Sequence, residues 1–184
     1  MEFARNYLTK LKSLLDRVPM DKFERVRQMF ADAREKDRMI FIVGNGGSAA
    51  TSSHLAVDLG KGASINKPKR FRVLSLTDNL PWITALGNDL AYDQVFEQQL
   101  RNYGQKGDVL LAISASGNSP NIVNAVKAAK ELGLTTIGWS GFGGGKIAGM
   151  CDLSIVAEDN HYGRVEDVHS ILMHLVCYSF MEVN

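Results

Sequence analysis

The sequence predicts an α/β protein with a doubly wound, five-stranded parallel sheet and flanking helices. Five short runs of apolar and β-branched residues recur along the chain, and segments with helical spacing separate them. Continuous apolar runs are typical of strands buried on both faces, and alternation of strand and helix is typical of a parallel sheet. A chain of 184 residues, 45% of them hydrophobic, is long enough for a single core. We therefore predict one domain over residues 1–184.

The first 36 residues are predicted to form two helices that precede the sheet. Apolar residues recur three and four positions apart over residues 2–18 and 21–35, which indicates an amphipathic helical hairpin. Asp21 is the predicted N-cap of the second helix. The apolar faces exceed what a sheet of this size needs to cover, so we expect these helices to pack between subunits.

The rest of the chain alternates strands and helices, for which we expect flavodoxin-like strand order. The predicted strands are residues 39–43, 71–76, 109–114, 135–139 and 153–156. The predicted helices are residues 48–59, 92–103, 119–132 and 164–181. Ligands of open α/β sheets bind at the carboxyl ends of the strands, so the turns after the strands are the expected place for a site.

Composition and charge exclude several classes of partner. Lys and Arg number 21 against 20 acidic residues, and a net charge of +1 produces no field that would attract nucleic acid or an anionic membrane. The apolar runs are far shorter than the roughly 20 residues of a membrane-spanning helix. Cys151 and Cys177 form no disulfide framework, and the N-terminus lacks a leader pattern. We expect a soluble, cytoplasmic protein with no nucleic-acid or membrane partner.

Two polar turns follow predicted strands and lead into helices. The first contains Asn45, Gly46, Gly47 and Ser48; its glycines permit close approach of a ligand, and the N–H groups of the following helix attract an anion. The second turn offers hydroxyls and a small residue before the helix that starts near Pro120: Ser114, Ala115, Ser116 and Ser119. Either turn alone is also compatible with a serine-capped tight turn. Two such turns after strands predict a neutral site for a small phosphoester.

Known nucleotide-binding patterns are absent from both turns. Neither turn has the G-x-G-x-x-G spacing of dinucleotide sites, and no GK[ST] sequence follows either one. The sequence therefore supports neither a Rossmann nucleotide site nor a P-loop.

Four further polar residues are candidates for a metal site. His54 and Asp58 are spaced i, i+4 on the helix after the first turn, so they share one face and either chelate a metal or form an ion pair. Glu166 and His174 on the last helix are the candidate additional ligands. They are eight residues apart, about 12 Å along a helix, so one ion can contact both only if the helix bends or another chain contributes.

The chain resembles the sugar isomerase (SIS) domain family and, within it, the phosphoheptose isomerases. The stretches that carry the resemblance are both turns with His54, residues 87–89, 107–111, 143–146 and 164–169, and His174. The resemblance implies isomerisation of sedoheptulose 7-phosphate to D-glycero-D-manno-heptose 7-phosphate, for lipopolysaccharide or capsule precursors. It also implies a homotetramer with sites between subunits that often hold zinc.

The resemblance implies roles for individual residues. His54 and His174 match zinc ligands, whereas Asp58 and Glu166 stand where the family has a glutamate and a glutamine. A set of two imidazoles and two carboxylates suits zinc or a harder divalent ion such as manganese. Asp58 is the candidate catalytic base and His174 the candidate acid.

The side chain of Asp58 is one methylene shorter than the glutamate of the family, which draws its carboxylate back from the substrate. This is expected to lower the rate, because a displacement of about 1 Å can lower a rate about 100-fold.

The resemblance also implies that Asn88 and Asp89 contact sugar hydroxyls, although a helix cap explains them equally well. Glu166 is a further substrate-binding candidate, and His169 is expected to be a hydrogen-bonded structural histidine. The alternative function is a non-catalytic SIS protein that binds a sugar phosphate or associates with a replication initiator.

Overall fold

The computed structural model describes residues 1–182 of the protein as an α/β sandwich of one sheet between two layers of helices. The α-helices are α1 Glu2–Leu15, α2 Met20–Glu35, α3 Gly47–Val57, α4 Leu80–Asp89, α5 Glu97–Tyr103, α6 Pro120–Glu131, α7 Gly145–Met150 and α8 Tyr162–Met181. The strands are β1 Met39–Val43, β2 Arg72–Ser75, β3 Val109–Ser114, β4 Thr135–Ser140 and β5 Leu153–Val156. A π-helical turn, Asp58–Gly62, continues α3, and two short 3-10 helices are Tyr92–Gln94 and Phe142–Gly144.

All five strands are parallel, in the order β2-β1-β3-β4-β5, which confirms the predicted flavodoxin-like sheet. Successive residues of β1 point to opposite faces: Ile40 and Ile42 lie in one core cluster, Phe41 and Val43 in the other. The first cluster is covered by α1, α2, α3 and α8, the second mainly by α5, α6 and α7. Both faces of the sheet are therefore buried, which is why the strands read as unbroken apolar runs.

Most element boundaries agree with the sequence prediction, and the exceptions have local causes. The capping prediction for Asp21 is wrong, because Pro19 occupies the N-cap position of α2 and Asp21 lies inside the first turn, where an acidic side chain still favours the helix dipole. The predicted helix over residues 92–103 is divided into Tyr92–Gln94 and α5. Residues 81–86 belong to a longer helix, α4, that ends at Asp89.

Three helices begin at the carboxyl ends of the sheet's strands. β1 and β3 are hydrogen-bonded neighbours, so the turns that lead into α3 and α6 leave the sheet side by side. Helix α8 follows the carboxyl end of β5, at the same end of the sheet, and packs along α3. Among the described residues, no helix is both long enough and apolar enough to cross a membrane.

Candidate active site

The two predicted turns open into one cavity of about 130 Å³. The residues that line it come from the ends of β1 and β3 and from the start of α8: Asn45, Ser48, Ile113, Ser114, Ala115, Ser116, Ser119, Tyr162 and Glu166. The helices α3 and α6 begin at this cavity, so their N-terminal dipoles favour an anion there. None of the lining residues is a lysine or arginine. The cavity is suited to a small anion that is held by hydroxyl and N–H donors.

Glycine contacts fix the shape of the second turn. Gly117 has φ of +64°, and a Cβ added to it would lie 2.1 Å from the carbonyl oxygen of Gly144. The serines on either side are close, with Ser114 Oγ and Ser119 Oγ 3.3 Å apart. Residues 141–145 form a 3-10 turn and the start of α7, packed against this second turn. The turn is therefore held by backbone contact as well as by its own hydrogen bonds.

Glu166 lies at the anion cavity. A Cβ added to Gly47 would lie 2.7 Å from Glu166 Oε2, so the carboxylate rests against the first turn of α3 at a position where only glycine leaves room. The side chain is half-buried and lines the cavity. Its negative charge opposes an anionic ligand at close range.

A second group of side chains lies further along α3 and α8. The potential ligand atoms of His54, Asp58 and His174 all lie within 4.8 Å of one another. His54 Nε2 is 3.4 Å from Asp58 Oδ2, and the rings of His54 and His174 meet edge to face with centroids 5.1 Å apart. We call these three residues the imidazole–carboxylate group. Two imidazoles and one carboxylate are a ligand set that zinc uses at catalytic sites with a further position open.

The structure does not bring Glu166 to this group, so the predicted set of four metal ligands is not assembled in the chain. Glu166 and His174 are separated by two turns of α8, about 12 Å along the axis. Glu166 contacts the start of α3 at Gly47. His174 instead faces His54, which lies near the C-terminal end of α3. The two helices thus run in parallel, and the anion cavity and the imidazole–carboxylate group lie along the same pair of helices.

Asp58 begins the π-helical turn that continues α3. The N–H of Ala63 donates to the carbonyl oxygen of Asp58 at 2.8 Å, a bond across five residues. Such turns are common at functional sites. Cys177 lies beneath Asp58, and burial together with the charge of Asp58 raises the pKa of the Cys177 thiol to about 12. The thiol therefore stays protonated and is a poor metal ligand or nucleophile.

The remaining predicted residues are placed as follows. Asn88 and Asp89 are exposed at the C-terminal end of α4, hydrogen-bonded to each other at 2.8 Å, and do not line the cavity. His169 is fully buried, and its Nε2 lies 3.3 Å from the carbonyl oxygen of Ser140. Burial lowers the pKa of His169 to about 4, so the ring is neutral near pH 7. His169 thus has the structural environment that the sequence predicted.

Three residues at or beside the cavity were not predicted from the sequence. Tyr162 lines it at the N-terminus of α8. Asn121 and Tyr92 hydrogen-bond to Asn45 from two other elements. Asn121 follows the second turn directly, which was the available signal, whereas no pattern links Tyr92 to a residue 47 positions earlier.

Another surface cavity, of about 750 Å³, lies elsewhere and contains none of the predicted site residues. Several cations line it, among them Arg27, Arg34 and Lys69. Glu24 pairs with Arg27, while Glu35 pairs with both Arg34 and Lys69. We place the active site at the smaller cavity because both turns meet there.

Comparisons with known proteins identify the family of the chain. Residues 6–141 match the SIS domain family. A phosphoheptose isomerase of Nitratidesulfovibrio vulgaris strain Miyazaki F is 43% identical over 142 residues, which cover 77% of this chain and 68% of that protein. A phosphoheptose isomerase of Clostridium acetobutylicum is 36% identical over 168 residues, covering 91% and 85%.

Solved structures show the same fold. The phosphoheptose isomerase from Neisseria gonorrhoeae superposes with a TM-score of 0.86 at 32% identity, covering 99% of this chain and 96% of that one. A phosphoheptose isomerase from Francisella tularensis has a TM-score of 0.90 at 23% identity, covering 98% and 95%.

Proposed function

Because the chain belongs to the SIS domain family and to the phosphoheptose isomerases within it, we propose that it interconverts sedoheptulose 7-phosphate and D-glycero-D-manno-heptose 7-phosphate. The observation that carries this proposal is the arrangement along α3 and α8. A cavity suited to an anion lies at the start of both helices, and an imidazole–carboxylate group lies further along them.

The cavity is the proposed phosphate site. Ser48, Ser114, Ser116 and Ser119 supply hydroxyl donors, and the starts of α3 and α6 supply N–H groups and the positive ends of their dipoles. Binding of the phosphate fixes the far end of the substrate, and that binding energy helps to orient the reacting carbons.

The length of the site favours a long sugar. Ser48 and His54 are six residues apart on α3, about 9 Å along a helix, and Glu166 and His174 are about 12 Å apart on α8. A seven-carbon open-chain sugar carries its phosphate at one end and the carbons that exchange a proton at the other. Such a substrate can reach both regions at once, whereas a three- or four-carbon phosphoester is shorter.

Asp58 and His174 are the proposed catalytic residues. Isomerisation through an enediol needs a base that moves a proton between C1 and C2 and an acid that serves their oxygens. Asp58 has the carboxylate for the first role, and its Oδ2 is held 3.4 Å from His54. His174 has an imidazole, which can both donate and accept a proton, and this suits the second role.

A divalent metal, zinc in our proposal, fits the imidazole–carboxylate group. His54, Asp58 and His174 would hold it, since their potential ligand atoms all lie within 4.8 Å of one another. When bound, the metal polarises the carbonyl group of the substrate. Asp58 can contribute one carboxylate oxygen to the metal and retain the other for proton transfer.

We further propose a cytoplasmic homotetramer that supplies precursors of lipopolysaccharide or capsule. Exposed apolar side chains support association between chains: Phe3 and Leu8 on α1, Val57 on α3, and Leu175 and Tyr178 on α8. The ring of Tyr178 adjoins the imidazole–carboxylate group, with its centroid 6.2 Å from that of His174. Because this group is exposed in the single chain, a neighbouring subunit would close the site around the reacting carbons.

The test is an assay with purified protein and sedoheptulose 7-phosphate, with and without a chelator, that follows aldose formation. We expect product, a lower rate with chelator, and recovery on addition of zinc or manganese. No product with any metal, combined with thermal stabilisation by the sugar phosphate, would contradict the isomerase and favour the non-catalytic binding protein. A Glu35→Gln variant, altered far from the site, is the matched control and should keep wild-type activity.

A further inference from the structure

Three side chains join the two turns of the phosphate cavity. The amides of Asn45 and Asn121 pair reciprocally: Asn45 Nδ2 donates to Asn121 Oδ1 at 2.9 Å, and Asn121 Nδ2 donates to Asn45 Oδ1 at 2.8 Å. The hydroxyl of Tyr92 lies 3.1 Å from Asn45 Oδ1. Asn45 belongs to the turn after β1 and Asn121 to the first turn of α6. The pair therefore spans the gap between neighbouring strands.

A backbone group fixes the orientation of both amides. The N–H of Ile122 donates to Asn121 Oδ1 at 3.0 Å, and an N–H group cannot donate to an amide nitrogen. Oδ1 of Asn121 must therefore face Ile122, which leaves its Nδ2 to donate to Asn45. Asn45 must in turn present Oδ1 to Asn121, so the hydroxyl of Tyr92 is the donor in its bond to Asn45.

This arrangement determines what Asn45 can offer a ligand. Its Oδ1 accepts two hydrogen bonds, from Asn121 and Tyr92, which uses both lone pairs. Its Nδ2 has two hydrogens, and one is given to Asn121. The remaining capacity of the side chain is one N–H donor. Asn45 lines a cavity without lysine or arginine, where each neutral donor contributes to anion binding.

We propose that Tyr92 and Asn121 are positioning residues of the phosphate site. They fix the spacing of the two turns and hold Asn45 as a hydrogen-bond donor to the phosphate oxygens. This inference rests on the proposed function, since it assumes that the cavity takes the phosphate of the substrate. Neither residue belongs to the imidazole–carboxylate group, so their loss affects binding and leaves the chemical step intact.

The test measures two quantities in Tyr92→Phe: the affinity for inorganic phosphate, by ³¹P NMR titration, and the steady-state constants with sedoheptulose 7-phosphate. Tyr92 is 58% exposed, so removal of its hydroxyl should leave the melting temperature unchanged. We expect phosphate affinity to fall and KM to rise by about fivefold, the effect of one neutral hydrogen bond, with kcat changed by less than twofold. Tyr103→Phe, altered at another half-exposed tyrosine, is the control and should change neither constant.

A second variant tests the amide pair. Asn121→Asp keeps the size of a buried side chain and its acceptor for Ile122, but it removes the donor to Asn45. We expect phosphate affinity to fall by more than twentyfold, because the lost donor and the added charge act together. Asn124→Asp places the same charge one helical turn later on α6 and should have a smaller effect.

Unchanged phosphate affinity and KM in Tyr92→Phe would overturn the inference, as would equal losses in Asn121→Asp and Asn124→Asp. A lower melting temperature with unaltered phosphate affinity would also overturn it, since that result indicates a purely structural role. The phosphate titration does not need turnover. An inactive wild-type protein whose phosphate affinity nevertheless falls in Tyr92→Phe would therefore refute the proposed reaction and retain the positioning role.

Discussion

The phosphate cavity and the imidazole–carboxylate group are built in different ways on the same pair of helices. The cavity is formed by backbone turns that glycine contacts and a reciprocal amide pair hold in place. The imidazole–carboxylate group consists of side chains on helix surfaces, with His54 48% exposed. We infer from this difference that a single chain already holds the anion cavity in its binding geometry. The side chains of the imidazole–carboxylate group need a metal or a second subunit to be fixed in place.

The largest effect is expected from a change in the imidazole–carboxylate group. His174→Asn and Asp58→Asn should each lower kcat by about 10²- to 10⁴-fold, the usual contribution of a general acid or base. Inorganic phosphate should bind to both variants as it does to the wild type, because the cavity does not include these residues. Parallel kinetic and ³¹P NMR measurements check this separation. A loss of phosphate affinity equal to the loss of kcat would show that the two regions are not independent.

A change in the second turn should instead weaken phosphate binding. Gly117→Ala places a Cβ against the carbonyl oxygen of Gly144 at a φ of +64°, a conformation that costs about 1–3 kcal/mol for a residue with a side chain. Because the backbone must also shift to relieve the overlap with Gly144, we expect the free energy of unfolding to fall by at least that amount and phosphate binding to weaken. Chemical denaturation and phosphate titration measure the two effects. Gly149→Ala is the control, because no atom lies within 4 Å of its added Cβ.

The smallest effect is expected at Glu166, which lines the phosphate cavity. Removal of its negative charge in Glu166→Gln should raise phosphate affinity about threefold to tenfold, since charges several ångströms apart near water interact by about 1 kcal/mol. The gain should shrink as salt is added, because added ions screen the charge. Phosphate titrations at low and high ionic strength check this. A weaker affinity in Glu166→Gln would instead indicate that the carboxylate accepts a hydrogen bond from the ligand.

The sheet and the positions of the two turns could be predicted from the sequence. β1, β3 and β5 begin and end where the apolar runs do, because strands buried on both faces leave a continuous pattern. The convergence of the turns followed from the parallel sheet alone. The separation of Glu166 from His174 was also visible in the sequence, since eight residues of helix span about 12 Å.

Other features could not be predicted because they depend on contacts between distant parts of the chain. The pairing of Asn45 with Asn121 joins residues 76 positions apart, and Tyr92 reaches Asn45 across 47. Residues 92–103 are divided into a 3-10 helix and α5. The spacing of the apolar residues in this segment does not mark the division, so the sequence predicts a single helix. Asn88 and Asp89 lie at the C-terminal end of α4 and do not line the cavity, so their contact with sugar hydroxyls stays a prediction.

A crystal structure of the protein with sedoheptulose 7-phosphate, obtained with the slow Asp58→Asn variant, tests most directly whether one substrate spans both regions. The account predicts phosphate oxygens within hydrogen-bond distance of Ser48, Ser114 and Ser119, and C1 and C2 beside residue 58 and His174. A phosphate bound outside the cavity, or reacting carbons that face away from the imidazole–carboxylate group, would contradict it.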